Sequence, residues 1–216
     1  LQDGLIQVAF IVITIIANQR ALADAAAVGI VEKIIGFLFL VPSTLLSTVS
    51  AMGAQNIGAG QEERARQTLR YAISLAVVYG LTAALIMQGA AEAAVALFTD
   101  ASTAEGMQVV RLGGQYMRGY VWDCVFAGIH FCCSGYFCAI GRSGFSFLHN
   151  ILAIVLVRIP GAYLASVLFP TTLLPMGFAT AAGSLASVLI CLAVLLALRR
   201  KDEKQNGEKN TALFDR

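Results

Sequence analysis

Ionisable and hydroxyl-bearing side chains interrupt an otherwise apolar stretch near the middle of the chain. Tyr116, Tyr120, Asp123, His130 and Ser134 are spaced by 4, 3, 7 and 4 residues, which places them on one face of a helix. A desolvated carboxylate on such a face can exchange a proton or hold Na⁺, and an imidazole can titrate near neutral pH. The alternative is that both residues are structural. Water and Tyr120 would then hydrogen-bond to Asp123 near the outer surface of a membrane, and His130 would hydrogen-bond to a neighbouring helix.

The elements that must position these residues are those of a membrane protein. The 216 residues are 58% hydrophobic and 13% charged, where a soluble domain is about 25% charged, and the mean hydropathy is +0.75. Ile34 to Ala54 contains no charged residue and is long enough as a helix to cross the roughly 30 Å hydrocarbon core. The sequence therefore predicts an all-α, polytopic membrane helix bundle. The small net charge of +2, with basic residues in short clusters, argues against a nucleic-acid partner.

The apolar runs predict one transmembrane domain over residues 1–198 and a polar tail over residues 199–216. A polar connection, long enough to hold a short interfacial helix, is expected over residues 99–118. The mostly apolar run of the first span is only thirteen residues long, from Leu5 to Ala17, where about 20 are needed. We therefore expect a truncated first helix and a chain that is a piece of a longer protein. The six expected spans are at about 1–17, 25–57, 71–98, 120–140, 145–169 and 176–198.

Basic residues are distributed unequally between the two sets of alternating loops. One set holds eight of them and the opposite set holds three. The positive-inside rule places the richer set in the cytoplasm, and with it the polar tail. The richer set is Arg64, Arg66, Arg70, Arg142, Arg199, Arg200, Lys201 and Lys204, and the poorer set is Arg20, Arg111 and Arg118.

Two prolines inside spans indicate structural or gating positions. Pro42 in the second span and Pro160 in the fifth each remove a backbone donor, so we expect kinks whose freed carbonyls are satisfied by neighbouring groups. Arg158, deep in the fifth span, is expected to pair with Glu32, Asp123 or freed carbonyls.

The second span also carries polar residues at its ends. Glu32 and Lys33 are adjacent and point about 100° apart, so one of them is expected to face a cavity near the outer mouth. The alternative is an interfacial pair whose long side chains reach the headgroups. Gln55 and Asn56 are expected to close the other end by capping and by contacts with the next loop.

No pattern for an enzyme, a resident cofactor or a metal site is present in the sequence. The five cysteines lie in apolar segments without a CxxC spacing, which indicates membrane-buried side chains rather than a metal or disulfide framework. The glycines of Ala54–Gly60 end a membrane helix rather than opening one after a strand, so they do not form a nucleotide loop.

The second span carries a family resemblance. Residues 25–66, AAAVGIVEKIIGFLFLVPSTLLSTVSAMGAQNIGAGQEERAR, resemble the eighth helix and following loop of the multidrug and toxic compound extrusion (MATE) family. SGYFCAIGRS, LVRIPGAYL and PMGFATAAGSLAS are similar to the last three helices of that family. The resemblance covers essentially the whole chain, as the C-terminal six-helix lobe of a two-lobe, twelve-helix transporter. It implies that an N-terminal six-helix lobe is missing.

The resemblance also implies a function. The chain would be half of a secondary active antiporter that exports organic, often cationic, compounds in exchange for Na⁺ or H⁺. Its partners would be the missing lobe, membrane lipid and a small organic substrate, in the plasma membrane. One branch of the family keeps acidic cation ligands early in the seventh helix and in the tenth, and Gln7 and Ala127 lie near these positions, so the chain departs from that cation site. Gln7 can ligate Na⁺ or substrate but cannot exchange a proton. The candidate cation-coupling or cavity residues are Asp123, His130, Ser134, Tyr120, Gln7 and Glu32.

Two alternatives stay open at this point. A related flippase for a lipid-linked substrate would need a strongly basic cavity, for which only Arg158 and Lys33 are available. A membrane scaffold subunit without transport would need no ionisable groups inside its spans, in contrast to Asp123, His130 and Arg158.

Overall fold

In a computed structural model, the backbone is described over residues 2–214 and the side chains over residues 7–200. All the regular elements of this described part are helices, joined by short turns. They are α1 (Gln2–Asn18), α2 (Leu22–Leu38), α3 (Leu40–Gly58), α4 (Glu62–Ala96), α5 (Ala104–Tyr120), α6 (Asp123–Ala139), α7 (Ser143–Ala153), a π-helical turn (Ile154–Arg158), α8 (Ile159–Leu168) and α9 (Leu174–Phe214).

Four helices of the described part are long and apolar enough to cross a membrane: Leu22–Gly58, Glu62–Ala96, Ser143–Leu168 and Leu174–Arg200. The pair α5 and α6, which meet at a bend of 43°, is long and apolar enough when it is taken as one span. Gln7–Asn18 is a shorter apolar helix, so the expected truncated first span stays a prediction. The expected all-α membrane bundle is confirmed. The side chains of residues 201–216 lie outside the described part, so the expected tail stays a prediction.

The stretch expected to be a polar connection with a short interfacial helix, residues 99–118, contains most of α5, which is buried in the bundle rather than interfacial. Thr103 begins this helix, because its hydroxyl accepts a hydrogen bond from the Gly106 amide at 3.0 Å, as an N-cap does. In the turn before it, hydrogen bonds from Ser102 lower the pKa of Asp100. Helix α5 is rich in glycine and poor in long apolar side chains, which gives it a polar appearance in the sequence. The same glycines let α5 pack against α2, α4 and α9 inside the bundle.

The second span is bent at Phe39, between α2 and α3. Pro42 lies in the first turn of α3 and cannot donate to the carbonyl of Leu38, four residues earlier. The hydroxyl of Tyr79, on α4, donates to that carbonyl at 2.9 Å. The prediction that a neighbouring helix satisfies the carbonyl freed by Pro42 is confirmed.

The fifth span continues through a π-helical turn and is not broken at Pro160. The π-helical turn Ile154–Arg158 leads directly into α8, in which Pro160 is the second residue. A π turn is one way for a membrane helix to accommodate a residue that lacks a backbone donor.

Backbone bonds, and not the expected side-chain caps, close the end of α3. Gly60 has a positive φ of 72°, and the amides of Gly60 and Gln61 donate to the carbonyls of Ile57 and Asn56 at 2.9 and 2.8 Å. This is the Schellman pattern, which glycine favours. The side chain of Asn56 donates within its own helix, to Met52 O at 2.9 Å, and Gln55 is exposed. The prediction that these two side chains contact the next loop stays a prediction.

The bent pair α5–α6 lies at the centre of the bundle. Helix α6 packs against α3, α4, α7 and α9, and α5 packs against α2, α4 and α9. At the crossing of α4 and α6, a Cβ added to Gly80 would lie 2.7 Å from the Cα of Val125, so the two backbones approach as closely as a glycine allows. Large apolar side chains on the outer helices remain exposed, as lipid contact requires, among them Leu75, Val78, Leu85, Leu189 and Leu196.

Candidate functional site

An ion pair lies in the interior between α6 and the π turn. Asp123, in the first turn of α6, is 0% exposed and Arg158, the last residue of the π turn, is 5% exposed. Nη2 of Arg158 donates to Oδ2 of Asp123, and Nε donates to the carbonyl of Thr180 on α9 at 3.2 Å. Removing either partner would leave the other charge buried and uncompensated.

Two tyrosines from α5 cover this pair. The Arg158 guanidinium carbon lies 5.9 Å from the centre of the Tyr120 ring, within the range of a cation–π contact, and the Tyr116 and Tyr120 rings are 5.4 Å apart. Thr180 gives its hydroxyl proton to Met176 O at 2.9 Å, so at 3.4 Å it accepts the proton of the Tyr116 hydroxyl. The Tyr120 hydroxyl is buried without a hydrogen-bond partner among the described residues.

A second carboxylate enters the interior from α2. Glu32 is partly buried, and its Oε2 accepts a hydrogen bond from Thr14 on α1 at 3.0 Å. Its Oε1 is buried without a hydrogen-bond partner in the described part of the chain, as is Oδ1 of Asp123. Lys33 is exposed. Of the adjacent pair, Glu32 is therefore the residue that faces inward.

A cluster of imidazole and hydroxyl groups lies along α6, towards its C-terminal end. Nε2 of His149 is 2.8 Å from the Ser134 hydroxyl, and Nδ1 is 3.1 Å from the Ser187 hydroxyl. Ser187 gives its own proton to the carbonyl of His149 at 3.3 Å, so it accepts from Nδ1–H and Ser134 donates to Nε2. His149 is thus a neutral imidazole with both ring nitrogens hydrogen-bonded, and it links α6, α7 and α9.

His130, unlike His149, has a ring nitrogen without a hydrogen-bond partner in the described part. Its ring centre is 5.5 Å from that of His149, and it is 4% exposed. Its Nδ1 has no hydrogen-bond partner among the described residues. His130 lines a cavity of about 20 Å³ together with Arg158, Asn150, Ser184, Ser187 and Phe39. This volume is enough for one water-sized group.

Charged side chains at the ends of the helices are paired separately. Arg20 holds Asp24 at 3.0 Å and donates to the carbonyl of Pro170 at 2.6 Å, which ties the α1–α2 turn to the α8–α9 turn. Arg118 pairs with Glu92 at 3.1 Å. The charges that remain deep in the described bundle are those of Asp123, Glu32 and Arg158, a set with a formal charge of −1 when all three are ionised.

The structure brings together most of the residues selected from the sequence. Tyr120, Asp123, His130 and Ser134 are buried on the interior side of α5–α6, and the pairing of Arg158 with Asp123 is one of the three that the sequence predicts. Arg158, and not Tyr120, is the group that pairs with the buried Asp123 carboxylate, and the depth of Asp123 in the membrane stays a prediction. Gln7 is exposed on α1.

Sequence reasoning missed the polar residues that complete these clusters. His149 and Asn150 interrupt an apolar run, as His130 does, and their position was a signal that they face the interior. Thr180, Ser184 and Ser187 are spaced by four and three residues, which places them on one face of α9. Thr14 had no such signal. Among residues 7–200, no group of three or more His, Cys, Asp or Glu side chains could hold a metal ion.

Comparisons with known proteins agree with this architecture. The profile of the MatE family matches residues 4–164. Protein DETOXIFICATION 53 of Arabidopsis thaliana is 35% identical over 78 residues, which are 36% of this chain and 16% of that protein.

Solved structures show the same fold. A crystal structure of MATE in complex with MaL6 has a TM-score of 0.82 at 15% identity, covering 92% of this chain and 45% of that one. The Vibrio cholerae MATE transporter VcmN in the bent form has a TM-score of 0.75 at 18% identity, covering 95% and 44%. The chain therefore spans less than half the length of these relatives.

The family profile covers more than half of the chain, and the fold agrees with it. The expected resemblance is confirmed: the chain belongs to the MATE family, whose members are membrane transporters and not enzymes.

Proposed function

We propose that this chain is one six-helix lobe of a secondary antiporter that exports organic cations in exchange for a proton. The observation that carries the proposal is the charge of the interior set. Arg158 neutralises Asp123, and Glu32 remains as a carboxylate whose only hydrogen-bond partner in the described part is the hydroxyl of Thr14.

An excess negative charge inside a bundle needs a cation. A buried carboxylate without a counter-charge is costly, so it binds a proton or another cation. A proton on Glu32 and an organic cation beside Glu32 each neutralise this carboxylate, so the binding of one weakens the binding of the other. Mutual exclusion of this kind is what exchange of two cations across a membrane requires.

The surroundings of Glu32 favour a proton over Na⁺ as the coupling ion. Hard metal cations are held by several oxygen ligands, whereas Oε2 has a single hydroxyl neighbour and Oε1 has none among the described residues. A proton needs only the free Oε1. In this proposal Asp123 sets the charge balance by holding Arg158, and His130, Ser134 and Tyr120 line the interior around the pair.

The remaining parts of the proposal concern the whole transporter. The lengths of the relatives support a second six-helix lobe as the partner of this one, with the substrate between the lobes. The excess of basic residues at the start of α4, in the turn after α6 and in the tail supports a plasma-membrane orientation with the tail in the cytoplasm. A lipid-linked, anionic substrate is disfavoured, since Asp123 already neutralises the interior arginine.

Efflux from vesicles tests the proposal. The two-lobe transporter is reconstituted in proteoliposomes, and export of a fluorescent organic cation is followed under an imposed pH gradient and, separately, a Na⁺ gradient. Glu32→Gln keeps an oxygen for the Thr14 hydroxyl but removes the charge, so export should stop. Asp123→Asn should also abolish export, because it too removes the excess negative charge. Lys33→Gln, on the exposed neighbour, is the matched control and should leave export unchanged. Normal export by Glu32→Gln would contradict the charge argument, and export driven only by Na⁺ would contradict the choice of ion.

A further inference from the structure

The small cavity beside the ion pair presents hydrogen-bond donors and no carboxylate. It lies where α6, the π turn and α9 meet, next to Phe39 at the bend of the second span. Asp123 and Glu32 are absent from its lining, so the negative charges of the interior lie outside it. Its polar lining comes from Arg158, His130, Asn150, Ser184 and Ser187.

Arg158 contributes its guanidinium to the lining of this cavity. Its Nη2 and Nε donate to Asp123 and to the Thr180 carbonyl, and Nη1 is the nitrogen that these two bonds do not use. Because a guanidinium only donates hydrogen bonds, this part of the lining favours a hydrogen-bond acceptor.

His130, in the lining of the same cavity, has a ring nitrogen without a partner in the part of the chain that the structure describes. It is buried, its Nδ1 has no partner among the described residues, and the neighbouring His149 is already fully bonded to two serines. A neutral imidazole can donate one hydrogen bond and accept one. A group that the described helices do not provide is therefore needed to complete its bonding.

We infer that this cavity is a substrate subsite for an uncharged acceptor oxygen, such as the carbonyl of a ketone, ester or amide. The inference rests on the proposed function, and it narrows the substrate class to organic cations that carry such an oxygen. The space of about 20 Å³ admits one oxygen-sized group. A carboxylate is disfavoured, since the positive charge of Arg158 is cancelled by Asp123 and a further anion would add to the excess negative charge.

Three matched organic cations test the subsite. They are benzyltrimethylammonium ions with a 4-acetyl group, with a 4-isopropenyl group, in which CH₂ replaces the carbonyl oxygen, and with a 4-carboxylate. Binding to the two-lobe transporter is measured by isothermal titration calorimetry at two pH values. The acetyl compound should bind about tenfold more tightly than the isopropenyl compound, as hydrogen bonds from His130 and Arg158 together provide. The carboxylate should bind no more tightly than the isopropenyl compound.

Variants test whether the preference for the acetyl over the isopropenyl compound arises in this cavity. His130→Leu should reduce the ratio between the acetyl and isopropenyl affinities to less than about threefold, on the same free-energy scale. His130→Gln, which keeps a donor and an acceptor, should retain most of the ratio, and Lys33→Gln should retain all of it. Equal affinities for the two compounds in the unmodified transporter would overturn the subsite, and so would an unchanged ratio in His130→Leu. The first comparison needs no variant, so poor folding of His130→Leu does not prevent a decision.

The same data separate this inference from the proposed function. If all three compounds bind with equal affinity and their affinity rises with pH, only the subsite is refuted. If none of the three cations binds at either pH, the exchange of cations at Glu32 is refuted with it.

Discussion

Replacing Tyr79 by phenylalanine isolates the bond that stabilises the bend of the second span. The Tyr79 hydroxyl donates to Leu38 O at 2.9 Å, and Pro42 has removed the amide that would otherwise donate to this carbonyl. Tyr79→Phe keeps the ring and leaves the carbonyl without its donor. The substitution should lower the free energy of unfolding by about 1 kcal/mol. This value lies between the average contribution of one hydrogen bond in a membrane protein and the cost of leaving a buried carbonyl without a donor. For a bundle of this size, that decrease lowers Tm by about 2–4 °C.

A double-mutant cycle with Pro42→Ala gives the sharper test. Alanine restores an amide at position 42 that can donate to Leu38 O, so Tyr79→Phe should cost close to nothing in that background. The coupling free energy between the two positions should therefore be about 1 kcal/mol, measured by thermal or chemical unfolding in detergent. Tyr163→Phe, an exposed tyrosine on α8 (52%), is the control and should be neutral. An equal cost of Tyr79→Phe in both backgrounds would refute the role assigned to this bond.

Three further outcomes are expected. Gly80→Ala should destabilise the bundle by about 1–3 kcal/mol through a clash with the backbone of α6, whereas Gly89→Ala, on the same helix with nothing within 4 Å, should be neutral or slightly stabilising; equal thermal shifts would contradict the close crossing. Asp123→Asn should cost about 3–5 kcal/mol by leaving Arg158 uncompensated, and adding Arg158→Gln should recover most of that loss in the same unfolding assay; a double variant as unstable as the single one would contradict the ion pair. The chain reconstituted without a second lobe should show no directional export, and vectorial efflux by these residues alone would overturn the half-transporter proposal.

Local patterns in the sequence predict much of the fold. Uncharged runs of membrane length locate the long crossings, because bilayer thickness sets the length of an apolar helix. Pro42 predicts both a bend and a carbonyl in need of a donor, and Tyr79 supplies that donor. The burial of α5 was missed because its glycines lower the local hydropathy while allowing close packing inside the bundle.

The interior site was predicted less completely, for a different reason. Helical spacing placed Asp123 and His130 on one buried face. It could not select among the three expected partners of Arg158, since pairing depends on how α6, the π turn and α9 meet in space. His149 shows the same limit of sequence reasoning. Its position in an apolar run indicates burial, but its two hydrogen bonds depend on serines from two other helices.

Proton release on binding tests the central claim most directly. Benzyltrimethylammonium, a non-titrating cation, is added to the detergent-solubilised two-lobe transporter in weakly buffered solution, and the pH change is recorded with a dye. If the cation and a proton exclude each other at Glu32, binding should release up to one proton per bound cation, with release increasing as the starting pH is lowered, and Glu32→Gln should release none. Binding without proton release at every pH would contradict the account.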